Sequence, residues 1–290
     1  MYSDRVITLN RLKVFFYMLI ITSIIMGIGY YVSELMGWGL TGVGGFLVFA
    51  GLLNFVSYFF SDVIVIKTSG AVPLKEEDMP EYFAMVRDMC NRSDIKMPRL
   101  YLVNTDAMNA FATGRDQDHA IVAVTSGLLK RLSLEEVSGV VGHELSHIAN
   151  SDILLMSVVA VLVGFISMFT NFLIRNGAMN RNRRDESGIS IITGLILMIA
   201  APLVATFIKF AISRSREYMA DAKGAQICGN PQYLASALAK ISGDDYPMPN
   251  VNEATAHLYI SNPFRNGLFA KLLSTHPNIN DRINKLEKMA

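Results

Sequence analysis

Four stretches of the chain run for membrane-spanning length without an Asp, Glu, Lys or Arg: Val14–Ser33, Leu35–Ser61, Ile153–Ile174 and Ser187–Ile208. A hydrocarbon core of about 30 Å is crossed by about 20 helical residues, so each stretch is long enough to span. Four helices buried inside a soluble domain are the alternative, and four such lengths are hard to hide in one soluble core. The first stretch is too long for a signal peptide and has no small-residue cleavage site ahead of Glu34, so it is expected to remain as a helix. The second opens with Gly37, Gly39, Gly42, Gly44 and Gly45, and its helix is expected to start near Val43.

The segment between the second and third stretches has ordinary polar–apolar alternation. "EEDMPEYFAMVRDMCNRSD" has the spacing of an amphipathic helix. "PRLYLVN" and "HAIVAVT" are short runs rich in Val, Ile, Leu and Tyr and predict strands. "SLEEVSGVVGHELSHIANSD" opens with Ser133 and places Glu135 and Glu136 in a first helical turn. After the fourth stretch the pattern is mostly helical, ending with a helix that starts after Pro277 in "THPNINDRINKLEKM". The expected fold is mainly α with a small β-sheet (α+β) in a multi-pass membrane protein. The expected division is a membrane hairpin at 1–60, a surface domain beginning at 61–152, a second hairpin at 153–208 and the rest of the surface domain at 209–290.

Composition agrees with this picture. Of the 290 residues 51% are hydrophobic and only 18% charged, against about a quarter charged in soluble domains; the mean hydropathy is +0.34. A net charge of +1 gives no basic face for a nucleic-acid partner. The two cysteines, Cys90 and Cys228, do not make a disulfide framework, and a reducing compartment is the simpler expectation. The 16 methionines read as apolar filler of buried and lipid-facing helices.

"HELSH" carries the chemistry. His143 and His147 lie four residues apart, on one side of a helix, where two imidazoles can grip one zinc ion. Glu144 is rotated by roughly 100° from His143, so it flanks the metal and can take a proton from the attacking water and return it to a leaving amine. Gly142 leaves space beside His143, and Val140, Val141, Leu145 and Ile148 supply an apolar side. The motif alone also fits a pair of capped or solvated helix histidines. A catalytic zinc keeps one position open and needs a third protein ligand. No third histidine follows closely, and "SREYMADAKGA" offers Glu217 as that ligand, with Asp221 one turn later to bond the far nitrogen of a zinc histidine. Taken alone, such an acid pair is equally a solvated helix face. Its position is the stronger argument. His147 lies six residues before the third stretch and Glu217 nine after the fourth. As helices Ile153–Ile174 rises about 33 Å and Gly188–Ile208 about 31 Å, so a hairpin would return Glu217 to the level of His147, about 10–14 Å from the hydrophobic boundary. In this reading the ligand helices continue directly into the membrane.

"HELSHIANSD", "SREYMADAKGA", "MNAFATGRD" and "STHPNINDRI" together resemble the HtpX-type membrane metalloproteases, relatives of the Ste24-type CAAX-prenyl endoproteases within the M48 class of gluzincins. The resemblance covers nearly the whole chain. It implies a gluzincin-type zinc peptidase domain at the membrane surface, with one Zn2+ on His143, His147 and Glu217, Glu144 as general base and Asp221 supporting a ligand. It also implies that His276 and Arg282 are a late pair supporting the site, either by stabilising the oxyanion or by holding the ligand helices with a salt bridge. From chemistry alone His276 is equally a turn histidine before Pro277. Asn150 and Asp152 are read as finishing the metal helix or meeting the interface. In "MNAFATG", Asn109, Ala110 and Phe111 could bind extended substrate through an exposed edge strand, or belong to an ordinary strand and glycine turn.

The implied function is hydrolysis of damaged or misfolded membrane proteins, a quality-control and stress-response role, in the bacterial inner membrane with the peptidase domain in the cytoplasm. The partners are polypeptide substrates and the lipid bilayer. Arg5, Arg11 and Lys13 favour a cytoplasmic N-terminus, whereas Arg175, Arg181, Arg183 and Arg184 fall in the loop between the third and fourth stretches, against a fully spanning second hairpin. A shallow, protein-packed hairpin is the alternative. Competing functions are a specific processing protease of the prenyl-peptide type and a non-enzymatic chaperone or scaffold with a structural zinc. A transporter would need an intramembrane ionisable cluster, which these stretches lack.

Overall fold

The computed structural model describes residues 2–179, 213–246, 248, 255–261 and 277–289. The fourth apolar stretch, most of the arginine-rich loop before it, and His276 lie outside the described residues. Among the described residues three helices are long and apolar enough to cross a membrane, over Ile7–Glu34, Gly39–Phe59 and Asp152–Asn171.

Two of these form an N-terminal hairpin, α1 (Tyr2–Met36) and α2 (Gly39–Phe59). The α2 helix starts at Gly39 rather than near Val43. Gly37 and Gly39 take the left-handed region with φ of 67° and 53°, which makes the tight turn. The Ser33 hydroxyl of α1 lies where a Cβ on Gly42 would sit, so glycine permits close packing instead of delaying the helix. Leu40, Leu47, Val48, Leu52 and Phe55 stand exposed on α2, as a lipid-facing helix requires. A short helix α3 (Ser61–Ser69) follows, with Asp62 held by Arg99 at 2.9 Å.

The surface domain is built on a four-stranded sheet, β1 (Val72–Pro73), β2 (Arg99–Val103), β3 (Ala110–Thr113) and β4 (Ile121–Thr125), in the order β1-β2-β4-β3. The β2 and β4 strands are parallel; β1 and β3 join antiparallel. Both strands expected from the apolar runs are present, and side chains alternate across the sheet as a two-residue period demands. Leu100, Ala110, Ala112, Val122 and Val124 face the main core. Val103, Phe111 and Ala123 face the other way, onto Val65 of α3 and Met156 and Ala160 of the third apolar helix.

The main core is closed by α4 (Pro80–Arg92), α5 (Ser126–Arg131), α6 (Leu134–Ala149), α8 (Arg214–Cys228), α9 (Pro231–Ser242) and α10 (Ile279–Glu287). Residues from 61–152 and from 209–290 therefore share one interior. Cys90 and Cys228 are both free. Asn278 caps α10 through the Asn280 amide at 2.9 Å, so the final helix begins just after Pro277.

The third apolar helix, α7 (Asp152–Met179), departs from expectation twice. First, α6 does not run on into it. The chain breaks at Asn150–Ser151, where Ser151 takes a left-handed φ of 54°; α7 then starts afresh at Asp152. Second, α7 runs through Arg175, which was expected in the loop, because arginine is a good helix former and one charge does not end a helix. Residues 152–163 of α7 are wholly buried. Leu154, Leu155, Val158, Val159, Leu162 and Val163 pack on Val14, Tyr17 and Ile21 of α1. The first twelve residues of this helix are thus protein core.

Two stability predictions follow from this packing. A Cβ at Gly142 of α6 would lie 2.7 Å from the Gly224 carbonyl of α8, and one at Gly224 would lie 2.7 Å from the His143 nitrogen. Gly142→Ala or Gly224→Ala should cost on the order of 1–3 kcal/mol in detergent-solubilised protein, read as a lower Tm, whereas Gly51→Ala, facing open space, should not lower it. Asp244 accepts from the Met108 amide at 2.6 Å and pairs with Arg131 at 2.7 Å. Burial opposes its charge, but Arg131 outweighs that and holds its pKa below the ordinary carboxylate value. Its contribution is present above that ordinary value, and it is lost as pH falls through the lower folded one. Asp244→Asn should therefore cost about 1–2 kcal/mol at pH 7, the partly open Arg131 limiting the loss. The Tm gap to the native protein should close as pH is taken below about 4.

Candidate metal centre

Helix α6 is fixed at its start by a capping box. The Ser133 amide donates to Glu136 at 2.9 Å, and the Glu136 amide donates to Ser133 Oγ at 3.3 Å. Glu136 is tied in turn to α9 by Ser236 at 2.6 Å and Lys240 at 2.8 Å. Every residue from Glu136 to Ile148 is buried, so the HELSH segment lies inside the domain.

His143 and His147 converge at Nε2, 3.2 Å apart, with their rings at 86°. Glu217 on α8 brings Oε2 to 3.7 Å from His143 Nε2 and Oε1 to 3.6 Å from His147 Nε2. Metal–ligand bonds near 2.0–2.1 Å in a tetrahedron put neighbouring ligand atoms roughly 3.3 Å apart, so this triad can hold a metal ion. All three residues are buried. The third ligand named from sequence stands beside the other two because Gly142 and Gly224 let α6 and α8 touch backbone to backbone.

Each imidazole has a carboxylate behind it. Asp221 Oδ1 is 3.0 Å from His143 Nδ1, and Asp152 Oδ2 is 3.1 Å from His147 Nδ1. Such partners turn Nε2 inward and hold the tautomer. Asp221 was named from sequence, but Asp152 was read as finishing the metal helix or meeting the interface, not as a partner of His147. No helical period places a residue five positions on beside His147. The left-handed Ser151 folds Asp152 back, and only the backbone shows it.

Arg282 is buried on α10. Its Nε and Nη2 donate to Asp221 at 2.9 and 2.7 Å, its Nη1 donates to the Ile260 carbonyl at 3.1 Å, and Nη2 lies 3.4 Å from His143 Nδ1. Of the two roles considered, this geometry fits the brace. The guanidinium is spent on Asp221 and Ile260, so Arg282 stands behind His143 rather than at a reacting carbonyl.

Electrostatics separate the groups. Burial pushes Glu144 up to about 7, with nearby Glu217 adding to it, and the Ala112 amide of β3 donates to its carboxylate. Burial lowers His143 to about 4, leaving it neutral. Burial opposes the charged form of His147 too, but Asp152 and Glu217 outweigh it and raise it to about 9. Asp221 is held down at about 2 by Arg282 and His143 despite burial. Around the imidazoles, four buried carboxylates (Glu144, Asp152, Glu217, Asp221) face two buried guanidinium groups, Arg216 and Arg282. With the four acids ionised and both imidazoles neutral, as metal ligands must be, these described groups carry two net negative charges, which a divalent cation balances.

The edge strand read from "MNAFATG" is present, and it is covered. β3 is an edge strand of the sheet, but Asn109, Ala110 and Phe111 are buried, at 3%, 1% and 1% exposure. The Ile260 amide donates to the Ala110 carbonyl at 2.9 Å, and Asn109 Nδ2 donates to the Ser261 carbonyl at 2.9 Å. Tyr259 packs on Phe111 with ring centroids 5.0 Å apart. An edge left bare is open to unwanted pairing, and here the chain covers it with its own later segment.

Comparison with known proteins identifies the family of this chain. The model of Peptidase family M48 matches residues 76–290. A Protease HtpX homolog of Thermoanaerobacter pseudethanolicus is 42% identical over 287 residues, covering 97% of this chain and 95% of the relative. Protease HtpX of Legionella pneumophila (strain Lens) is 41% identical over 285 residues, covering 97% and 99%. The crystal structure of S. mikatae Ste24p superposes with a TM-score of 0.54 at 18% identity, over 95% of this chain and 67% of that one, which speaks for the fold. With its membrane-length helices and its buried His–His–Glu triad, this chain belongs to peptidase family M48 and is a metalloendopeptidase of the membrane.

Proposed function

We propose that the chain is a zinc-dependent endopeptidase that cleaves damaged or misfolded membrane proteins. We place it in the bacterial inner membrane, with its peptidase domain on the cytoplasmic side. The observation that carries this reading is the convergence of His143, His147 and Glu217 beside a buried Glu144. Two imidazoles and one carboxylate are the donor set of an open catalytic zinc site, whereas a structural site is closed by four protein ligands. Zinc bound there would polarise the scissile carbonyl and acidify water. Glu144 near 7 is poised to accept a proton from that water at neutral pH and to return it to the leaving amine. Asp221 and Asp152 orient the two imidazoles, and Arg282 braces Asp221. His276, next to the Pro277 that precedes α10, is the remaining candidate for stabilising the developing oxyanion.

Main-chain recognition along β3, at Asn109, Ala110 and Phe111, suits an enzyme that tolerates many sequences. In this reading an extended substrate takes the place of Ile260 on the strand. Arg5, Arg11 and Lys13 support the cytoplasmic orientation.

The test is metal analysis of the purified full-length protein together with cleavage of an unfolded membrane protein, with and without a chelator. Glu144→Gln should retain zinc and lose on the order of 10²–10⁴-fold in rate; His143→Ala should lose the metal. A Glu144→Gln variant as fast as the native enzyme would sink the mechanism. One dominant substrate cut at one position would point to a processing protease instead. Arg282→Leu leaves Asp221 buried without its cation, so it should destabilise by about 3–5 kcal/mol, and Arg282→Lys by less, both read as Tm.

A further inference from the structure

Helix α1 presents most of its large side chains to lipid: Leu9, Leu12, Phe15 and Phe16 are 52%, 60%, 67% and 58% exposed. Asn10 points the other way and is 1% exposed. It heads an inward stripe completed by Val14, Tyr17 and Ile21, which seals α1 against α7. An amide buried at the head of an apolar seam costs free energy unless it is bonded. Asn10 Nδ2 donates to Asp152 Oδ1 at 2.8 Å and reaches the Asn150 carbonyl at 3.4 Å. Arg216, next to the ligand Glu217, closes the group with Nη1 at 3.3 Å from Asp152 Oδ1 and 3.4 Å from Asn10 Oδ1. The other oxygen of Asp152 is the one 3.1 Å from His147 Nδ1.

We propose that the first membrane helix is a working part of the metal centre: Asn10 is a positioning residue that acts through Asp152 to hold His147 with Nε2 turned toward the metal. The chain of contact runs Asn10, Asp152, His147, with three helices meeting at one carboxylate. Asp152 follows the Ser151 break and so has no long helix ahead of it to set its rotamer; Asn10 and Arg216 hold it from opposite elements. The seam between α1 and α7 supplies the register, because a polar residue in such a stripe matches only one alignment of the two helices. Displacement of α1 would free Asp152 and loosen the metal without altering any of its three ligands. The inference rests on the metal assignment proposed above.

The test uses full-length protein in detergent and reads zinc affinity by chelator competition, with the visible spectrum of the Co2+-substituted protein as a second signal. Asn10→Leu keeps the number and branching of side-chain heavy atoms and removes the donor. It should weaken zinc binding by roughly 10–100-fold, the usual effect of losing an outer partner of a metal histidine, and shift the Co2+ bands. Asp152→Ala should do the same, and adding Asn10→Leu to Asp152→Ala should cost nothing more, because the two act in series. Asn54→Leu is the control for helix docking: Asn54 bonds Thr22 at 2.8 Å between α2 and α1, away from the ligands. It should lower Tm while leaving zinc affinity unchanged. The proposal is overturned if Asn10→Leu lowers Tm alone, or if its cost to zinc affinity is the same with and without Asp152. Native protein that binds no zinc would instead overturn the metal assignment itself.

Discussion

Charge buried in a low-dielectric interior is the constraint from which the rest of the site follows. Glu144, Asp152, Glu217 and Asp221 stand out of water around two imidazoles, and the two guanidinium groups facing them are Arg216 and Arg282. An unpaired buried charge is too costly to keep. Asp221 is committed to Arg282 and His143, and Asp152 to Asn10, Arg216 and His147. Glu144 accepts from the Ala112 amide, and Glu217 faces the two imidazoles. With both imidazoles neutral, as metal ligands must be, a divalent cation balances the charge these groups leave.

This constraint also dictates the packing. Partners for the acids come from distant parts of the chain, so α1, α7, α8 and α10 each bring a side chain to the centre on α6. Glycine at 142 and 224 removes the side chains that would keep α6 and α8 apart. The first half of α7 is core rather than lipid-facing surface: its residues to 163 are buried between α1 and the sheet. The membrane helices and the peptidase domain are consequently one packed body around the site. The edge of β3 obeys the same economy of exposed polar groups, since the Ala110 carbonyl is capped by Ile260 and the Ala112 amide by Glu144.

Much of this was legible in the linear order of residues. Charge-free runs marked three helices of membrane-spanning length, runs rich in Val, Ile, Leu and Tyr marked β2 and β4, and the four-residue spacing of His143 and His147 fixed their common side, because these are local properties of a regular backbone. Glu217 and Asp221 were named from their own spacing and from helix lengths that include the fourth stretch, which lies outside the described residues. The start of α2 was misplaced because glycine was weighed as a helix breaker, whereas close approach to Ser33 rewards it.

Other features were settled only by tertiary contact. Asp152 was read as finishing the metal helix or meeting the interface, and the left-handed Ser151 turns it back onto His147; Asn10 carried no assignment from sequence. Arg282 could have stabilised an oxyanion or held the ligand helices, and the placement of α10 sets it on Asp221. The edge of β3 was read either as open to substrate or as an ordinary strand, and a segment about 150 residues later covers it. Residue order determines periodicity, and periodicity determines elements and the side each residue takes. It does not determine which distant side chain satisfies a buried charge or which segment covers an exposed edge, because those depend on how the elements close on one another in space.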